Sequence, residues 1–168
     1  MNGNLEMRRP TTHTTALRTA TWIGLFAALT ACTLTTSDRN LVYVDSYHAI
    51  EAMNKPGNAF QSAKTSAFID PRTRLVYAQE HVAGAINLPF EDMTLEAPGL
   101  LEKYDILVVY GSDYTDILAS AASKRLLELG FTTVYTLEGG LKAWKKSGNE
   151  VQTGVPADAP ELPDKPVI

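Results

Sequence analysis

The sequence predicts an α/β domain, a three-layer sandwich with a central, mainly parallel five-stranded sheet flanked by helices. Two observations carry this. Short apolar runs punctuated by Gly and Pro alternate with stretches whose apolar residues recur at helical spacing, the pattern of strand–helix units that return to one parallel sheet. The strongest run, Ile106 to Tyr110, is apolar at every position, as required of a strand covered on both faces.

The elements follow in order. Leu41-Val42-Tyr43-Val44 reads as the first strand. Asp45 suits the N-cap of a helix through Ala49, Ile50 and Met53, stopped by Pro56-Gly57. Ala67-Phe68-Ile69-Asp70 is a second strand ending at Pro71, and Gly84 to Leu88 a third, closed by Pro89. Ile106–Tyr110 is the fourth. A polar loop, Gly111 to Thr115, leads into a helix from about Asp116 to Leu129, whose Ile117, Ala121, Ala122, Leu126 and Leu129 recur at helical spacing and which Gly130 terminates. Thr133–Leu137 is the fifth strand and Leu141–Ser147 a short helix. In such sheets ligands meet the edge where strands end and helices begin. The loop after the fourth strand is therefore the candidate site.

Residues 1–31 have the layout of a bacterial export signal. Arg8, Arg9 and Arg18 make the start basic, and Trp22 to Leu29 is an apolar run far short of the roughly 20 residues that span a bilayer. Leu29-Thr30-Ala31-Cys32 resembles the lipobox of bacterial lipoproteins, in which the cysteine is lipidated and the chain is cut just before it. That resemblance implies a lipoprotein anchored in the cell envelope through lipid on Cys32, facing the periplasm or the exterior. More than one acyl chain is needed for firm anchoring, and a lipobox cysteine carries at least two. By resemblance to enterobacterial sorting, Thr33 in the next position would favour the outer membrane. Residues 32–40 read as a polar, lipidated tether, 41–150 as the folded domain, and 151–168 as a Pro-rich acidic tail without packing.

Without residues 1–31, 12 Lys+Arg face 18 Asp+Glu, a formal charge of −6. This balance argues against nucleic acid as a partner. No cofactor is indicated, and His13, His48 and His81 are scattered, with no metal-ligand spacing.

Three segments resemble the rhodanese-like domain. The first is Phe68-Ile69-Asp70-Pro71-Arg72 with the later run Glu80-His81-Val82-Ala83-Gly84-Ala85-Ile86-Asn87-Leu88-Pro89. The second is Ile106–Tyr110 with its loop and helix. The third is Tyr135-Thr136-Leu137-Glu138-Gly139-Gly140-Leu141-Lys142-Ala143-Trp144, ending in the family's Gly-Gly-x-x-Ala-Trp signature. The resemblance implies that His81 is structural; by their own chemistry Asp70 and Arg72 suit a turn held by an ion pair and backbone bonds, Gly139-Gly140 a tight strand-to-helix turn, and Trp144 packing of the last helix on the sheet. In active members a cysteine follows the fourth strand, attacks the outer sulfur of a donor and carries a persulfide cradled by loop and helix N–H groups. Here that position falls on Gly111 or, counting back from the helix, on Asp113. The one cysteine of the chain is Cys32.

No catalytic residue is therefore assigned, and the binding candidates are Gly111, Ser112, Asp113, Tyr114, Thr115 and Asp116. No Lys or Arg lies between Tyr110 and Lys124, so the loop is acidic. Asp113 and Asp116 would repel an anionic donor and favour something neutral or cationic; in simpler terms, Asp113 suits a turn and Asp116 a helix cap. The expected function is a membrane-anchored, catalytically inactive binding or regulatory module with an unknown protein or small-molecule partner. The alternative is a sulfurtransferase-related enzyme using a partner thiol or a non-cysteine loop residue. Phosphatase chemistry, which related folds host, also needs the missing cysteine.

Overall fold

A computed structural model describes residues 36–55 and 65–154. The elements are β1 (Val42–Val44), α1 (Ser46–Met53), β2 (Ser66–Asp70), α2 (Arg74–Gln79), β3 (His81–Val82), β4 (Ile86–Asn87), α3 (Met93–Leu101), β5 (Ile106–Val109), α4 (Leu118–Glu128), β6 (Val134–Leu137), α5 (Gly140–Lys146) and β7 (Val151–Gln152). A 3-10 turn at Asp38–Asn40 precedes β1.

Five strands form one sheet in the order β1-β6-β5-β2-β4, every pair parallel. The α/β class and the five expected strands are thus present. Alternation along β5 divides the core. Leu107 and Val109 face Met93, Ala97 and Leu101 of α3 and Ala119, Ala122 and Leu126 of α4. Val108 and Tyr110 face Ala49 of α1, Tyr77 of α2, and Leu141 and Trp144 of α5. Successive strand side chains point to opposite faces, so a run apolar at every position must be covered twice. Asp45 caps α1 as its sequence position suggests, its carboxylate accepting from the His48 N–H at 2.9 Å. Trp144 lies edge-on to Phe68 at 4.9 Å and donates its indole N–H to the Glu150 carbonyl.

The structure corrects several boundaries. α4 begins at Leu118, two residues after Asp116, because the Asp116 side chain is engaged in the preceding loop. The chain from Val151 does not start a free tail: β7 pairs antiparallel with β3, and the Gly154 N–H donates to the Ala78 carbonyl. Residues 36–40, read as tether, are held to α4 by an Asp38–Lys124 ion pair and a bond from the Thr36 hydroxyl to Glu128. α2, α3 and the β3–β7 pair were not expected. Cys32 with its lipobox, Pro56-Gly57 and the tail from Val155 lie outside the described residues.

The sheet edge beneath the candidate site is ordered by one buried pair. Arg72 donates Nε to Oδ1 of Asp70 at 2.9 Å and Nη2 to Oδ2 at 2.6 Å, and its backbone N–H also donates to Oδ1. Nη2 reaches on to the Glu80 carbonyl at 2.9 Å. Both residues are buried. Burial opposes the guanidinium's charge, and the Asp70 carboxylate more than offsets it, so the Arg72 pKa stands above its ordinary value. Removing one member of a buried pair leaves the other charge without compensation. Arg72→Ala should therefore lower the unfolding free energy by about 3–5 kcal/mol in urea titrations; a loss below about 1 kcal/mol, typical of an exposed pair, would contradict this role.

Candidate functional site

β5 ends below Tyr110, which is fully buried. Its hydroxyl accepts from the Val82 N–H at 3.1 Å, and the Arg72 guanidinium lies 5.6 Å from its ring centre. Burial first, and the Asp70 charge second, push its phenol far above the ordinary value, so it stays protonated. Tyr110 thus fixes the point from which the loop leaves the sheet.

The next residues run flush against the start of α5. The Leu141 N–H donates to the Gly111 carbonyl at 2.8 Å and the Lys142 N–H to the Ser112 carbonyl at 3.0 Å. A Cβ on Gly140 would lie 2.3 Å from the Gly111 oxygen, and Gly140 has φ +55°. Only glycine meets both demands. The expectation of a tight Gly139-Gly140 turn is met, and its purpose is this close approach.

Asp116 braces the loop from the other side. Its Oδ2 accepts from the Ser112 N–H at 2.7 Å and its Oδ1 from the Leu118 N–H at 2.8 Å. It is a two-ended brace within the loop, where a simple helix cap was expected; the residue at the N-cap of α4 is Ile117. A Cβ on Gly111 would fall 2.7 Å from Asp116 Oδ2 and 2.9 Å from its Cγ. The carboxylate therefore fills the space that a side chain at position 111 would need. Asp113 is the turn residue its sequence position suggests. Its Oδ1 accepts from the Thr115 N–H at 2.8 Å and from the Thr115 hydroxyl at 2.7 Å, and its carbonyl accepts from the Asp116 N–H.

The consequence is chemical. Three backbone donors of the loop and first helical turn, at Ser112, Thr115 and Leu118, already bind carboxylates of the same loop. An external anion would have to displace them. The helix N-terminus, with about half a positive charge, is likewise satisfied by Asp116.

Two clefts flank the loop. One, of ≈ 290 Å³, is lined by Asp113, Tyr114, Thr115, Asp116 and Gly111 together with Tyr43, Ile117, Ser120 and Glu138. The other, of ≈ 240 Å³, is lined by Ser112, Arg72, Lys142, Lys145 and Glu80. The candidate residues are thus brought together but divided, Ser112 opening to the second side. Sequence reasoning missed Tyr43, Ser120 and Glu138 on one side and Lys142 and Lys145 on the other. The available signal was their place at strand ends and helix starts of the same sheet edge, where parallel sheets collect their functional groups.

Among the described residues the hydroxyls gain no histidine base. His48 pairs with Asp45, and His81 is buried, stacked on Tyr77 at 3.7 Å and bonded to its carbonyl. Among the described residues no group of side chains could hold a metal ion.

The Rhodanese-like domain family model matches residues 53–147. The chain belongs to that family. It is 33% identical over 92 residues to the chloroplastic thiosulfate sulfurtransferase 16 of Arabidopsis thaliana, covering 48% of this chain and 75% of that one. It is 33% identical over 76 residues to thiosulfate sulfurtransferase GlpE of Coxiella burnetii, covering 45% and 68%. Among solved structures, the Alr3790 protein from Anabaena sp. superposes with a TM-score of 0.55 at 30% identity, covering 67% of this chain and 93% of that one.

Thr115 holds the Asp113 carboxyl below its ordinary value, chiefly through its hydroxyl and then through its N–H. A depressed folded-state pKa makes ionised Asp113 support the loop above the unfolded pKa, near 4, and that support is lost as pH falls through the folded value. The Thr115 amide resonance should therefore hold steady from about pH 7 down to about pH 4 and move only below it. Asp113→Asn should abolish the transition, whereas a midpoint near pH 6 would contradict the assignment.

Proposed function

We propose that this chain is a membrane-anchored rhodanese-like module that binds a partner and does not itself transfer sulfur. One observation carries the reading. The Asp116 carboxylate occupies both the backbone donors at Ser112 and Leu118 and the space of a side chain at position 111. A persulfide mechanism needs that space for a thiolate and those donors for its anions. The loop holds no cysteine, Cys32 being the one in the chain. The lowered pKa of Asp113 also makes it a weak base for the Thr115 hydroxyl beside it. Lipid on Cys32 would fix the module to the cell envelope, facing the periplasm or exterior, with Thr33 favouring the outer membrane.

The sulfurtransferases among the relatives favour a second reading. In it the domain presents a sulfur donor to a thiol carried by a partner. The two readings part in one assay. With thiosulfate and cyanide, with or without added glutathione, the binding module gives no turnover above background. The second reading requires turnover once the thiol is added. Robust turnover by the unaltered chain without thiol would overturn both and send the search to Ser112, Tyr114 and Thr115.

The brace makes a graded prediction. Gly111→Cys alone should remain inactive, because its Cβ meets Asp116. Gly111→Cys with Asp116→Ala clears the space and frees two donors, and should exceed the single variant by about tenfold or more in cyanide-dependent turnover. Equal activity of the two variants would remove the brace from the argument. The anchor is tested separately. The chain should incorporate labelled palmitate in a bacterial host, and Cys32→Ala should stop both labelling and signal cleavage. Cleavage elsewhere without lipid would remove the membrane assignment.

A further inference from the structure

We infer that the cleft between the loop and β1 is a docking site for a partner-protein segment carrying an exposed arginine or lysine. This rests on the reading of the domain as a binding module and names the class of its partner.

The cleft joins two features that are seldom exposed together. Its walls are apolar and accessible: Tyr43 is 50% exposed, Tyr114 69% and Ile117 82%. All three line the same cavity. Scattered apolar residues at a surface need no explanation, whereas grouped ones around a concavity mark contact sites. Its rim is anionic. Asp113, Asp116 and Glu138 line it, and among the described residues no Lys, Arg or His does. The two aspartates are bonded by neutral N–H and hydroxyl groups, which leaves their charge in place. Glu138 is exposed, and its side chain has no hydrogen bond or ion pair among the described residues. Lys142, which lines the opposite cleft, acts on Asp113 behind the two Thr115 bonds.

The opposite cleft is not equivalent. Its cations are mostly matched from within, Arg72 by Asp70 and Lys145 by Glu80 at 2.6 Å. The uncompensated negative charge of the site is on the Tyr43–Tyr114 side.

The aromatic faces decide the ligand chemistry. A guanidinium or ammonium between tyrosine rings, with carboxylates at the rim, combines cation–π attraction with charge pairing. The Tyr114 ring is held for this role: it lies over Gly139, where a Cβ would fall 2.4 Å from Cζ. Tyr43 is tied through its hydroxyl to Ser120 at 3.0 Å. The walls are thus pre-positioned, which limits the ordering cost of binding.

A protein segment is favoured over a small amine by the shape of the site. The cavity reaches Tyr43 of β1, an edge strand of the sheet, which is half exposed.

The test uses the full chain in detergent and a fluorescent peptide, Gly-Ser-Arg-Gly-Arg-Ser-Gly, with a control in which Glu replaces Arg. Anisotropy should report saturable binding of the arginine peptide and none of the control. Raising salt from about 0.05 M to about 0.5 M should weaken binding several-fold. Tyr114→Ala should weaken it by about threefold to tenfold, the range of a partly desolvated cation–π contact. Glu138→Lys should weaken it by about tenfold. Both residues are exposed, and circular dichroism should confirm unchanged folding. Binding that ignores both substitutions, or spermidine competing as well as the peptide, would overturn the inference. Thiosulfate–cyanide turnover by the same preparation would sink the binding-module reading and this inference with it. Absent turnover with absent peptide binding would sink this inference alone.

Discussion

The candidate site depends on an ion pair buried at the sheet edge. Asp70 ends β2, and Arg72 turns back to grip it with two side-chain bonds. From that pair the contacts spread to every neighbour. Asn87 of β4 donates to the carbonyls of Asp70 and Arg72, and Glu80, just before β3, accepts from Nη2. The guanidinium lies near the Tyr110 ring beyond β5. Buried pairs of this kind offset their own desolvation only when the geometry is good and further bonds complete it. Their net stabilisation is modest, but their demand on geometry is strict. Three strand ends are thereby fixed in relation to one another, and the loop starts from a set point.

On that floor the backbone donors of the loop are taken up by its own side chains. Backbone N–H groups at a strand–loop–helix junction form an anion cradle wherever the chain turns in this way. The cradle persists here, with Asp116 in it. A carboxylate held by two N–H bonds within the loop is a resident ligand, always at hand. A thiosulfate ion would have to remove it and then sit beside Asp113, a like charge. The glycines at 111 and 140 belong to the same arrangement: one makes room for the carboxylate and the other lets the loop carbonyl lie against α5. Adding a cysteine to this sequence would therefore not by itself recreate the family's chemistry.

Much of the fold was legible in sequence because burial on two faces writes itself as unbroken apolar runs. β5 and β2 were plain for that reason. α3 was not read: Pro98 and Gly99, both poor helix formers, lie inside it, although Met93, Ala97 and Leu101 are fully buried at four-residue spacing. Packing overrode the local preference. The β3 and β7 strands are two residues each and pair across a long separation, so they carry no period to read. In the site, the acidic character of the loop was legible. The brace made by Asp116 was not, since a cap and a brace require the same residue type at nearly the same place. Tyr43 and Glu138 were hidden for a different reason: they reach the cleft from strands far away in sequence.

The division of charge across the loop follows from these same contacts. Asp70 claims Arg72, and Glu80 claims Lys145, so of the three cations lining the cleft on the Ser112 side two are matched from within and Lys142 is left. The carboxylates of Asp113 and Asp116 are satisfied by dipoles, which orient them without cancelling their charge. Glu138 adds to them from the end of β6. In a domain whose remaining charge is already negative, a field of one sign concentrated in a cleft attracts cations and repels the anionic donors on which sulfurtransfer depends. Asp116 thus affects both sides of the question of function. It fills the cradle that catalysis would use, and it supplies part of the charge that a basic partner would meet.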